Sequence, residues 1–226
     1  MKNSPINDIL ERYGKLLGEV DSWFAGCRER FPKEIACQEG CSACCRGLFD
    51  ITLLDACHLK HGFDRLDASV RERVLAKAEA RFVSLKKLWP ELAHPFLLNH
   101  RSDEEWEALM PEEDETPCVL LGEGGRCLVY EHRPMTCRLN GLPLVDISGA
   151  VFMEEWCSEN FKAVDPLPIE ELRWKFYQHF RQELIIFREF SQALTGKPVN
   201  ELDTLIPLAL LMDFEGFDWR GWEGSR

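Results

Sequence analysis

The chain has 226 residues, 45% of them hydrophobic and 11% aromatic, which is enough to bury a core without covalent crosslinks, so a single domain over 1–226 is expected. A formal net charge of -12 and a pI near 5.0 argue against a phosphate backbone as partner, and no Lys/Arg run interrupts that acidic average. No apolar stretch approaches the roughly 20 residues of a membrane span, and the first residues lack a secretory pattern, so neither nucleic acid nor membrane is an expected partner. The expected compartment is the cytoplasm, and the sequence names no protein partner.

In chain order, Ser4-Pro5 has the form of a helix start, with Ser as cap and Pro in the first turn. Ile6, Ile9, Leu10, Tyr13, Leu16, Leu17, Val20, Trp23, Phe24 and Cys27 then recur at helical spacing, and the helix is expected to end near Phe31-Pro32. Ala36 to Gly47 has no hydrophobic period and reads as a loop wrapped around something. Thr52 is expected to cap a short helix ended by Gly62, and Asp67 a second one running to Trp89-Pro90. Asp103 to Thr116 is acidic and reads as a solvated loop.

Cys118-Val119-Leu120-Leu121 and Arg126-Cys127-Leu128-Val129-Tyr130, joined by Gly122-Glu123-Gly124-Gly125, predict a hairpin with cysteines in both arms. A smaller hairpin is expected to turn at Ser148-Gly149. A further helix is expected from Pro168, with Leu172, Phe176, Phe180, Leu184, Phe187 and Phe190 on one face and an exit at Gly196-Lys197-Pro198. The last expected helix runs from Asn200 to Met212, kinked at Pro207. Phe214, Phe217, Trp219 and Trp222 are expected to pack back onto the helices. The fold class is mainly α, with helices around a small cysteine-rich irregular and β centre.

Ten cysteines in a reducing compartment call for metal ligation or redox chemistry, since a disulfide framework is not available there. Cys37, Cys41, Cys44 and Cys45 share one loop with Gly40, Ser42 and Ala43, residues small enough to let sulfurs converge. Close thiolates suit zinc and equally suit iron–sulfur clusters. Their mutual repulsion is relieved by a cation, which also lowers their pKa values. Cys27 and Cys57 lie on apolar helix faces and read as core residues. Cys118, Cys127, Cys137 and Cys157 sit at loop and hairpin positions, where ligand and core roles are equally open on the residues alone.

The run Cys37-x3-Cys41-x2-Cys44-Cys45, then Pro117-Cys118, Cys127-Leu128-Val129-Tyr130-Glu131-His132-Arg133-Pro134-Met135-Thr136-Cys137-Arg138 and Trp156-Cys157, resembles the YkgJ-type cysteine-cluster family. The likeness covers roughly residues 35 to 160, leaving the flanking helices outside it. Members of that family are described as zinc- or iron-chelating, and their relatives include flagellin lysine N-methylases. The resemblance implies that Cys37, Cys41, Cys44, Cys45, Cys118, Cys127, Cys137 and Cys157 form one shared metal-binding centre holding zinc or an iron–sulfur cluster. It also implies Arg133 and Arg138 as supporting groups around it, against the plainer reading of a structural ion pair. This chain departs from the common family form by having three residues, not two, between its first two clustered cysteines.

Eight thiols exceed one four-coordinate ion, which leaves two sites, one polynuclear site, or some redox-active cysteines as alternatives. His58 and His61, one turn apart, read chiefly as a solvent-facing pair, and His132 as exposed. The Cys37-x3-Cys41-x2-Cys44 spacing also matches the cluster loop of radical S-adenosylmethionine enzymes, but the helices expected after Cys45 do not supply the repeated strand–helix units of their barrel. Three functions follow: a metal-binding protein in redox chemistry or metal handling, a protein-lysine methyltransferase-like enzyme, or an interaction protein stapled by zinc. Whether the chain is an enzyme stays open at this level.

Overall fold

A computed structural model describes residues 5–99, 102, 104–105 and 114–222. The periodic residues after Pro5 form α1, Pro5–Arg30, whose buried stripe is Ile9, Leu10, Tyr13, Leu16, Leu17, Val20, Trp23 and Cys27. Asp8 in its first turn and Arg28 and Arg30 in its last complement the helix dipole. The expected Ser4 cap lies outside the described residues.

Strand β1, Asp50–Thr52, leads into α2, Leu53–Phe63, and the Thr52 hydroxyl accepts the Asp55 N–H at 3.1 Å as its cap. Helix α3, Ala68–Leu88, stops at Trp89 as the following Pro90 requires. Asp67 precedes it without a side-chain cap bond; its backbone carbonyl accepts the N–H groups of Val70 and Arg71, each at 2.9 Å.

The hairpin expected between Cys118 and Tyr130 is reduced to one antiparallel bridge, Leu121 with Cys127, closed by a 3-10 turn at Glu123–Gly125. A two-stranded ribbon alone is marginal, and here the Cys118 N–H is taken by the Cys45 carbonyl at 2.9 Å. Helix α4, Met135–Leu139, follows, and then β2, Leu144–Val145, pairs antiparallel with β3, Val151–Met153, about the expected Ser148-Gly149 turn.

Helix α5, Phe176–Thr195, starts eight residues later than the sequence predicts. Trp174 is held extended instead: its N–H donates to Val145 at 3.0 Å and its carbonyl accepts from Ile147 at 3.1 Å. The Asp146 carboxylate then caps the helix from a distance, accepting the Tyr177 N–H at 3.0 Å. Leu184, placed on the buried face by periodicity, is exposed.

The expected kinked helix from Asn200 to Met212 is absent. Asp203–Leu205 is β4, paired antiparallel with β1, and only Ile206–Ala209 is helical, as α6. Pro207 sits in the first turn of α6, where its missing N–H costs nothing, so it begins a helix rather than bending one. Strand pairing wins here because it buries Thr204 and Leu205, with the Thr204 hydroxyl donating to the Phe96 carbonyl at 2.8 Å.

The molecule is mainly α, with its two small sheets between helices. α1 lies along α5, with Trp23 edge-on to Phe176 at 4.9 Å and Lys175 paired to Glu19 at 2.7 Å. The tail aromatics fold back as expected: Trp219 is buried, stacked on Phe214 at 5.6 Å and edge-on to Phe217 at 4.9 Å. Among the described residues no helix is long and apolar enough to cross a membrane.

Candidate metal centre

The loop between α1 and β1 carries four of the cysteines through two tight turns, in which the Cys41 N–H donates to Gln38 and the Cys45 N–H to Ser42, each at 3.0 Å. Cys41 and Cys44 are exposed, Cys37 and Cys45 half-buried. The loop is backed by the turn that joins Cys118 to Cys127. A Cβ on Gly125, whose φ is +77°, would lie 2.3 Å from the Gly40 carbonyl, so only glycine permits this approach. Glu39 pairs with Arg126 across the same contact.

Asn160 fastens one end of the loop. Fully buried, it accepts the Ala36 N–H at 2.8 Å and donates to the Gly141 carbonyl at 2.7 Å. The same amide nitrogen lies 3.3 Å from the Cys37 sulfur. The Asn160 N–H donates to the Cys157 carbonyl at 2.9 Å, and the Cys157 N–H to Gly141 at 3.3 Å, so one amide links Cys37 to the segment bearing Cys157. At the other end, Cys45 is joined to Cys118 through the backbone, and Gly47 donates to Thr116 at 2.9 Å.

Arg133 and Arg138 converge on Asp21 of α1. Arg133 donates to Asp21 Oδ1 at 2.7 Å and lies over the Tyr130 ring, and Arg138, itself buried, bonds Asp21 Oδ2 and donates to the carbonyls of Arg133 and Glu131 at 3.0 and 2.8 Å. They therefore fix the Tyr130–Pro134 turn to α1, the ion-pair role, while remaining near enough to favour thiolates at Cys127 and, for Arg133, Cys44. Asp55, buried on α2, accepts the Tyr13 hydroxyl at 2.7 Å and the Met135 N–H at 3.0 Å, and so positions the start of α4, the helix of Cys137. Burial raises the pKa of Asp55, and burial together with Asp55 pushes that of Glu183, 3.1 Å from the Tyr13 hydroxyl, up to about 8.

Sequence reasoning missed Asp21, Asp55 and Asn160. Asp55 sits between Leu54 and Ala56 in an otherwise apolar helix, and that lone charge was the available signal. Asn160 carries no comparable mark. The histidines also differ from expectation. His58 is buried and stacks on the half-buried His132 at 4.9 Å, while His61 stays at the surface with its Nε2 3.0 Å from Arg65. The cause is Gly62, which lets the Tyr130–Pro134 turn come so close to α2 that a Cβ there would meet His132 at 2.4 Å.

The sulfurs are gathered but not converged: among the described residues no group of three or more His, Cys, Asp or Glu stands in metal-holding geometry. Cys27 and Cys57 are in the core, as expected, with burial pushing their thiols up to about 11 and about 12. Burial also raises Cys37, Cys118, Cys127 and Cys137. Cys44 is raised chiefly because its thiol bonds to Cys45, which is lowered by the same contact. The donor set fits a thiophilic cation. Soft sulfur selects zinc or iron over hard cations, and a bound dication would supply the positive charge that burial withholds from these thiolates.

No curated protein and no solved structure matches this chain. A family model does, over residues 36–158, described as CxxCxxCC: putative zinc- or iron-chelating domain. That span takes in every clustered cysteine, both arginines and the turn between them, and covers more than half of the 226 residues. The chain belongs to the CxxCxxCC family.

Proposed function

We propose that the chain is a metal-binding protein whose thiolates at Cys37, Cys41, Cys44, Cys45, Cys118, Cys127, Cys137 and Cys157 hold zinc or an iron–sulfur centre, acting in metal handling or redox chemistry as a single domain of the cytoplasm. The observation that carries this reading is the fastening of two distant segments onto one loop. Asn160 ties the Cys157 segment to Cys37, and the Cys45 carbonyl holds Cys118. Such costly backbone organisation around thiols, with no disulfide among the ten cysteines, fits ligation better than core filling.

Zinc would supply a closed tetrahedral staple, and an iron–sulfur cluster would supply electron transfer. Arg133 and Arg138 would balance thiolate charge from behind the turn they hold. Among the described residues nothing adds support to the methyltransferase alternative. Purification without oxygen, followed by metal analysis beside the visible spectrum, tests the reading. Bound zinc, or bound iron with sulfide and a broad visible absorption, is expected, and a folded, colourless, metal-free protein that takes up neither would end it.

A further inference from the structure

We propose that Glu183 is a carboxylic acid in the folded protein, donating its proton to the Tyr13 oxygen, and that loss of this proton weakens the hold of Asp55 on the first turn of α4. This proton-binding site needs no metal and does not depend on the reading above.

One hydroxyl lies between two carboxyl groups. The Tyr13 oxygen stands 2.7 Å from Asp55 Oδ1 and 3.1 Å from Glu183 Oε1. A phenol has one proton and donates it to one of them only. Were both carboxyls ionised, the second would face the lone pairs of the same oxygen with no hydrogen between them, where Tyr13 and Asp55 are both buried. A proton on one carboxyl removes the conflict and lets each oxygen donate to the next. The partners set the direction. Asp55 also accepts the Met135 N–H at 3.0 Å, a group that can only donate, and lies 3.3 Å from the Thr52 hydroxyl. The shorter phenol bond falls on Asp55 too, as a charged acceptor requires. Glu183 has Tyr13 as its one hydrogen-bond partner among the described residues, so the proton belongs to Glu183.

The surroundings supply little positive charge to replace that proton. From α4, Arg138 acts on Asp55, but its guanidinium is bonded to Asp21. The paired strands β1 and β4 present Asp50 and Asp203, which line a cleft of about 270 Å³ together with Asp55 and Glu183, and among the described residues no lysine or arginine lines it. On α5 itself, His179, one turn earlier, faces Glu19 and Lys175 instead. Burial first, and then the charge of Asp55, accordingly push Glu183 up to about 8. A carboxyl raised in this way favours the fold fully below its unfolded value of 4.5, and the contribution is lost as the pH rises from there towards about 8. Once Glu183 ionises, two carboxylates compete for one phenol proton. Asp55 then holds Tyr13 and Met135 less firmly, and the start of α4, the helix of Cys137, becomes sensitive to pH.

The test begins with the unaltered full chain, carrying glutamate labelled with 13C at the side-chain carboxyl. One such resonance should titrate near pH 8, and the Met135 amide should move with the same midpoint. Glu183→Gln, whose amide donates to Tyr13 as the acid does, should remove that titration and leave the Met135 amide still through the same range. It should also delete a protonated-carboxyl band from the infrared spectrum at neutral pH. Asp203, which burial and then Glu201 push up to about 7, keeps its own band, so the difference between the two proteins is the measure. If every glutamate of the unaltered chain titrated near its ordinary value of about 4, or if folded Glu183→Gln showed no infrared difference, the carboxylic acid would be overturned. A Met135 amide that stays still while Glu183 titrates would overturn the coupling to α4.

Discussion

The backbone N–H of Cys118 donates to the carbonyl of Cys45 across 2.9 Å, although the two cysteines lie far apart in the chain. This bond joins the CxxCC loop to the arm of the abbreviated hairpin, and it explains why that hairpin is short: the donor that would have extended its ladder is already in use. Expected consequences follow from this and the neighbouring contacts.

Replacing Asn160 with Ala should release the Cys157 segment. The change leaves the Gly141 carbonyl without its partner in a buried position, which costs about 1–3 kcal/mol, and frees the Ala36 N–H in a part-buried one where water offsets more of the loss. Thermal unfolding should show a lower midpoint, and a chelator should remove metal faster than from the unaltered protein. Unchanged values in both would mean that the amide does not organise the site.

Asp21→Asn should loosen the Tyr130–Pro134 turn by stripping two arginines of their common carboxylate. Because Asp21 is partly exposed, a loss on the order of 2 kcal/mol is expected, below that for breaking a fully buried pair. Urea denaturation checks the size, and metal retention should fall with it. If stability dropped while metal binding stayed unchanged, the arginines would hold the fold alone.

Gly62→Ala should clash with the His132 ring, since its Cβ would lie 2.4–2.8 Å from that side chain. Overpacking of this kind costs roughly 1–3 kcal/mol, more than the gain of up to about 1 kcal/mol from replacing glycine in a helix. The double variant with His132→Ala should recover most of the loss, and a double-mutant cycle measures the coupling.

Acid should destabilise the fold through His58. Burial first, and then His132, lower its pKa from 6.5 to about 4. The unfolded chain therefore takes up the proton before the folded one does. The contribution is full above pH 6.5, is lost as the pH falls from 6.5 towards about 4, and changes no further below that. The span corresponds to about 3 kcal/mol. In metal-free protein, His58→Phe should flatten the stability profile in this window, leaving the similar contribution of His179, whose pKa burial also lowers to about 4. An unaltered slope would show that His58 is not held neutral in the fold.

Cys27→Val and Cys57→Val should leave metal content unchanged, because both thiols belong to the core rather than the loop. Loss of metal from either variant, with the fold intact by circular dichroism, would place that cysteine in the centre.

The spacing of apolar residues determined α1, α2 and α3 unaided, since a helix that buries one stripe must repeat it every turn. The loop that carries Cys37 to Cys45 was legible for the converse reason, as small residues and thiols without a period cannot form such a stripe. Family membership was equally local, because it lies in the residues of the CxxCC and Tyr-x-x-Arg-Pro-x-x-Cys-Arg segments. What the sequence could not decide were outcomes set by partners distant in the chain. Trp174 is extended because Val145 and Ile147 claim its backbone, and Asp203–Leu205 is a strand because Asp50–Thr52 offers an edge. Asn160, in the segment of Cys157, reaches Cys37 across 123 residues. No local pattern encodes such a pairing, since its energy comes from groups that meet only once the chain has closed on itself.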